Sequence, residues 1–308
     1  MKLGIAVSLN SAGLVGNEPL ESLLHAVDEG GFDALWSLEN PLADQPDPLV
    51  WLTAAAVQRP QLTIGTAALI APLREPVLLA RQLATVDRLT NGRLLAGFAV
   101  GRRQEDYELT GLDFGARGRL LEDNVAVVRH VMSGLPFNFA GSTGNWHSST
   151  PVGLRPATVG GPPIVIGGQA DLALKRAVSI GDGYLGGATS GPVHAVAASM
   201  RLTELLEEAG RRDQPFLRVT NLFVQLGTDA ATAMAQATTT LQARHSGHLA
   251  YDPAQVVVAG PAENIAQQVL DLGRAGYTNV NLVPVTMDLG QVAALRAVVE
   301  IVGRETST

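Results

Sequence analysis

The chain contains no cysteine. That absence excludes disulfides, thiolate nucleophiles, cysteine zinc sites and iron–sulfur clusters together. A basic surplus is missing too: 22 Lys and Arg stand against 29 Asp and Glu, for a formal net charge of −7. Nothing in that balance argues for nucleic acid or an anionic membrane surface as a partner. The longest apolar stretches, such as "LVWLTAAAV" over 49–57, fall well short of the ~18 residues a membrane helix requires. "MKLGIAVSL" followed by "NSAG" is too short for a secretion signal and its cleavage site. The expectation is therefore a soluble, cytoplasmic protein with no nucleic-acid or membrane partner. Low-complexity tracts, charge blocks and 20–50-residue repeats are also missing.

What is present is alternation. Strand-like runs at Leu3–Leu9, Phe32–Trp36, Leu62–Ile70, Arg93–Ala99, Ile164–Gly167, Tyr184–Gly187, Phe216–Leu226 and Tyr277–Pro284 interleave with helix-like segments. Those helices are predicted over Glu18–Glu29, Pro48–Gln58, Pro76–Leu89, Ala116–Met132, Asp171–Ile180, Val193–Ala209, Ala230–Gln242, Ala262–Arg274 and Leu289–Val302. Continuously apolar strands such as "IVI" imply burial on both faces by flanking helices. The pattern predicts an α/β fold, a single TIM (β/α)8 barrel over residues 1–308 with insertions. An open doubly wound sheet is the alternative, but "LGIAVSLNSAGLVGNE" lacks the G-x-G-x-x-G spacing after the first strand. Two segments interrupt the rhythm: about 135–156, read as a hairpin insertion, and about 244–260, read as a long connection. Long loops of this kind tend to overhang sites.

The strand "IVI" stops at Gly167–Gly168, and a helix opens at once with Gln169–Ala170–Asp171. Without Cβ atoms a ligand can approach the backbone closely, and the first helical turn favours an anion. A tight turn needing a positive φ angle explains the same two glycines equally well. Gly97 and Gly101 with Arg102, Arg103 and Glu105, then Gly186 and Gly187, fall at neighbouring strand ends. On one barrel rim, such a set suits a flat or phosphorylated ligand.

These residues carry a resemblance. "DPLVWLTAAAVQRPQLTIGTAALIAPLREPVLLARQLATVDRLTNGRLLAGFAVGRRQEDYELTGLDFGARG" and "PPIVIGGQADLALKRAVSIGDGYL" resemble the bacterial luciferase-like monooxygenase family. The resemblance implies a barrel that binds reduced FMN or the deazaflavin coenzyme F420, as a homodimer. It implies an oxidoreductase or monooxygenase acting on a small-molecule substrate, with a separate flavin or F420 reductase supplying electrons. It places the ring against Thr66, Ala67 and Ala68, with a non-proline cis peptide at Ala67–Ala68. The phosphate then meets Gly167, Gly168 and Gln169, with Gly101 and Arg102 opposite and Gly187 beside them.

The chain departs from that pattern where chemistry is expected. Asn40 in "LWSLENPL" replaces a common histidine, and an amide cannot take a proton near neutral pH. Arg102 replaces the glutamate of sugar-phosphate dehydrogenases, and Val100 replaces an arginine of luciferase. The catalytic candidates are then Glu105, Glu39 and Asn40. Glu105 reads equally as a partner of Arg103 or a helix cap, and Glu39 as a rim salt-bridge partner. Among six histidines, His25 and His130 read as surface or packing residues, and His194 as a helix-end residue. His147, His245 and His248 fall in the insertions and are candidate proton donors. "HSGH" with Asp252 is too weak a pattern for a metal site, so none is expected. Trp36 and Trp51 read as packing aromatics; Trp146 is a substrate platform or a loop anchor. A non-catalytic flavin-binding protein and a flavin-free barrel enzyme acting on a sugar phosphate remain alternatives.

Overall fold

The computed structural model describes residues 1–9, 17–152, 155–244 and 249–306. Eight parallel strands close on themselves: β1 (Lys2–Val7), β2 (Ala34–Ser37), β3 (Thr63–Thr66), β4 (Leu94–Ala99), β5 (Ile164–Gly167), β6 (Gly183–Gly186), β7 (Leu217–Leu226) and β8 (Asn279–Pro284). Closure runs through β8 and β1, with Lys2 opposite Asn279 and Ile5 opposite Leu282. The open-sheet alternative is thereby excluded.

Side chains alternate along each strand, so the barrel carries two apolar shells. Leu3, Ile5 and Val7 of β1 face the surrounding helices, while Ala6, Ala34, Trp36, Val165, Val219 and Val283 fill the interior. Trp36 is fully buried there. It fits because Gly4 and Gly65 face it from the two flanking strands: a Cβ on Gly65 would stand inside the indole ring.

Several boundaries differ from the sequence reading. The long strand predicted over Leu62–Ile70 breaks after Thr66; the Ala67–Ala68 peptide is cis, and Leu69–Ile70 pairs onward with β4. A helix at Gln104–Thr110 and a strand at Val257–Gly260 were not predicted. That strand extends the sheet beside Phe223–Leu226 of β7, so the 244–260 connection is partly regular. The terminal helix divides into Leu289–Ala294 and Arg296–Thr306.

The 135–156 insertion is a hairpin, Phe137–Ala140 paired antiparallel with Asn145–Ser148. It packs on the helix Arg117–Ser133. His130 stacks on Phe137 at 5.2 Å and 3°, and buried Asp123 accepts bonds from the Ser142 and Thr143 amides at 3.1 and 2.6 Å. Trp146 stacks on Phe139, which makes it a loop anchor.

Candidate functional site

The C-terminal ends of the strands surround a cavity of about 430 Å3. Its walls bring together Ala67, Ala68, Gly101, Arg102, Gly167, Gly168, Gln169 and Gly187. Leu38, Leu185, Asn221 and Phe223 complete them. Thr66 is not among the lining residues. It is fully buried, and its hydroxyl exchanges bonds of 2.9 Å with the Gly97 backbone, so it fastens β3 to β4 behind the cavity.

Two buried tyrosines fix the rim. Tyr184 on β6 donates its hydroxyl to the Gly168 carbonyl at 2.9 Å, and burial pushes its pKa up to about 12. Tyr107 donates to the Val100 carbonyl at 2.5 Å, and burial raises its pKa as well. Gly168 sits at φ +147, where a Cβ would meet the Ala173 Cβ at 2.5 Å; the turn therefore requires glycine. At Gly187 a Cβ would have nothing nearer than Ser190 Oγ at 3.8 Å. The glycine thus leaves an open ledge at backbone level.

Behind Gly167–Gly168 a second cavity of about 430 Å3 adjoins the first through Val100, Gly167, Gly168 and Gln169. Its walls are the first turns of two helices, Arg117–Ser133 and Asp171–Ile180, neither of which has a side-chain cap. Arg117, Arg119 and Arg176 also line it. Arg176 is held by Glu122 at 2.7 Å, and Arg117 lies 4.0 Å over the Phe114 ring. Uncapped amides, two helix dipoles and three guanidinium groups around one space are the donor set of an anion site. The sequence reading missed these three arginines; the signal for Arg117 and Arg119 was the "GARGR" helix start, whereas Arg176 lies inside the helix Asp171–Ile180.

None of the three catalytic candidates lines the ring cavity. Glu39 accepts from Arg74 at 2.5 and 3.0 Å and from the Ile70 amide at 2.6 Å. Burial opposes the Arg74 charge, but Glu39 and Asp47 outweigh it and hold the guanidinium charged. Asn40 Oδ1 accepts from Arg103, which also faces buried Asp106 at 3.2 Å. Glu105 is exposed in the first turn of Gln104–Thr110. Arg102 is the only charged side chain in the described lining of the ring cavity.

The interior face of β7 was also missed. Asn221 and Phe223, two residues apart, both point into the barrel. Buried Asn281 donates its amide to Asn221 Oδ1 at 3.1 Å, which fixes the amide of this cavity-lining residue. Tyr251, from the connection after the helix Ala230–Arg244, packs on Phe223 with ring centroids 6.4 Å apart. His147 lies on the hairpin away from this cavity, and His245 and His248 lie outside the described residues. Among the described residues no cluster of three His, Asp or Glu could hold a metal, and no helix is long and apolar enough to cross a membrane.

Comparison with known proteins agrees with this geometry. An uncharacterized protein of Mycobacterium tuberculosis is 33% identical over 141 residues, 46% of this chain and 47% of that protein. The oxygenase component of the flavin-dependent trigonelline monooxygenase of Acinetobacter baylyi is 28% identical, over 36% of this chain and 32% of its own. The F420-dependent glucose-6-phosphate dehydrogenase of Amycolatopsis mediterranei is 25% identical, over 60% and 57%. The chain thus spans about half the length of the curated relatives it matches first. Among solved structures, monooxygenase RslO1 from Streptomyces bottropensis superimposes with a TM-score of 0.81 over 100% of both chains at 17% identity. The luciferase-like monooxygenase family matches residues 1–284. The chain belongs to that family, whose relatives use FMN or F420.

Proposed function

We propose that the chain is an oxidoreductase that binds reduced FMN or coenzyme F420 and acts on a small organic substrate. One observation carries the reading: across the Gly167–Gly168 turn the strand-end cavity adjoins a second pocket walled by two uncapped helix starts and three arginines. That arrangement suits a tricyclic ring bearing a phosphate. When bound, the cofactor supplies oxygen insertion if it is reduced FMN, or hydride transfer if it is F420.

The chain's own residues then bind, orient and exclude water. Ala67 and Ala68 present only methyl groups to one wall of the ring cavity, and Leu185 and Phe223 offer apolar surface on others. Asn221, its amide fixed by Asn281, lines the cavity. Gly187 and Gly168 admit the ligand to backbone distance, and Arg117, Arg119 and Arg176 with the helix amides hold the phosphate. Phe223 and Tyr251 shield the open side. No nicotinamide fingerprint appears, so a separate reductase is the proposed electron source and the cytoplasm the proposed location. Exposed Val50, Leu78 and Leu89 border a groove between the helices Pro48–Gln58 and Pro76–Leu89. We assign that face to the homodimer contact.

Titration with FMN, reduced FMN and F420, followed by fluorescence quenching, tests the reading. Micromolar binding of one of them is expected; failure of all three removes it. A non-catalytic cofactor carrier is the second reading. It is favoured by the absence of any carboxylate or imidazole in the described lining of the ring cavity. Cofactor turnover accelerated by a substrate separates the two.

A further inference from the structure

Two guanidinium groups, one in the lining of the ring cavity and one at the strand-end side of β8, have no carboxylate partner among the described residues. Arg102 follows β4 and lines the cavity. Arg244 ends the helix Ala230–Arg244 and donates to the Val285 carbonyl at 2.6 Å, just beyond β8. The Val285 amide donates to Val224 of β7 at 2.9 Å, which fixes Arg244 beside the strand that carries Phe223. In the closed strand order, β4 lies across the barrel from β8, so the two cations approach the mouth from opposite sides. Arg74, Arg103 and Arg176 are compensated, by Glu39, Asp106 and Glu122, and Arg117 and Arg119 belong to the adjoining pocket.

Tyr251 packs on Phe223, a residue of the cavity lining, and is close enough to both cations to feel their charge. Burial raises the pKa of its hydroxyl, while Arg102 and Arg244 both pull it down; the phenol oxygen senses both charges. Burial lowers the pKa of Arg244, and Tyr251 offsets that in part. A guanidinium in such surroundings favours an anionic partner. The anion pocket that suits the cofactor phosphate lies elsewhere, behind Gly167–Gly168, so the mouth is left for a different negative group.

We infer that Arg102 and Arg244 form the recognition site for an anionic substrate. The substrate is an organic acid whose carboxylate or sulfonate sits between the two guanidinium groups, with an apolar or aromatic body over Phe223 and Tyr251. The assignment deepens the proposed function and rests on it, since the acid's body then points toward the cofactor ring. It also assigns charge selectivity to side chains of the β4 end and of the β7–β8 side, apart from the glycine turn.

Calorimetric titration of the full chain with benzoate, benzenesulfonate and hexanoate, each against its neutral amide, tests the inference. At least one acid is expected to bind tenfold or more tightly than its amide. Arg244→Gln should erase that preference, Arg244→Lys should restore part of it, and Arg102→Gln should weaken it. Equal binding of acids and amides by the unaltered chain would overturn the inference, as would a preference that survives both glutamine variants. Cofactor titration of the same preparations reads the underlying function separately. If no cofactor binds while acid preference persists, the cofactor reading falls and the acid site stands. If cofactor binds and acid preference is absent, the acid site falls alone.

Discussion

The two sides of the barrel mouth are built from different materials. From β4 to β6 the lining is mostly backbone and small side chains, with Gly101, Gly167, Gly168, Gly186, Gly187 and Ala188, Arg102 and Gln169 being the long exceptions, and it is locked from behind by Tyr107 and Tyr184. From β7 it is larger side chains, Asn221 and Phe223, with Tyr251 packed on Phe223 and Arg244 bonded beside the β8 end. The first side suits a ligand that is always the same, because main-chain amides at fixed turns read a phosphate and a flat ring. The second suits a ligand that varies among relatives, because side chains change without moving the strands. The contrast assigns cofactor holding to the glycine turns and substrate selection to side chains, Arg102 among them, within one cavity.

The hardest blow to the contrast comes from Gly187→Asp. A side chain there meets no close neighbour, so folding should survive, while a carboxylate would occupy the ledge of the ring cavity and block the ligand. Cofactor affinity should fall a hundredfold or more by fluorescence quenching, with the thermal midpoint nearly unchanged. Retained affinity would break the backbone half of the comparison. Next in size is Glu39→Gln. Removing the charge from a largely buried pair with Arg74 should lower stability by about 2–3 kcal/mol, read by urea unfolding. The folded fraction should keep its cofactor affinity, because Glu39 fastens the rim without touching the cavity.

Those two positions also show what the sequence made legible. Eight strand–helix alternations and the glycine-ended strands were readable, because parallel strands buried on both faces and tight βα turns leave local patterns. The roles of Glu39 and Asn40 were not. Their arginine partners lie 35 and 63 residues away, and no spacing rule links them. Asn221 and Phe223 were hidden for a different reason: most of β7 is buried, so no polar alternation marks which residues face inward. The 244–260 connection looked irregular because the strand at Val257–Gly260 is only four residues long.

Smaller effects sharpen the picture. Tyr184→Phe removes one hydroxyl bond to the Gly168 carbonyl and should cost about 1 kcal/mol of stability, with a several-fold weaker cofactor site. Smallest is the alkaline response. Burial holds Tyr184 near 12 and raises Tyr107 and Tyr277 too, against about 10 in an unfolded chain. Raised values favour the neutral phenols in the folded state, so this stabilisation is complete below about pH 10 and is lost as pH climbs toward 12. Unfolding followed from pH 8 to 12 should show that decline, and Tyr184→Phe should make it shallower.

The central claim is that the amides and arginines around the Gly167–Gly168 turn hold a cofactor by its phosphate. Its most direct test compares ligands that differ only there: FMN with riboflavin, and F420 with its chromophore stripped of phosphate and tail, each titrated by fluorescence quenching. At least one phosphorylated member should bind a hundredfold or more tightly than its stripped counterpart. Equal affinity within both pairs would contradict the claim.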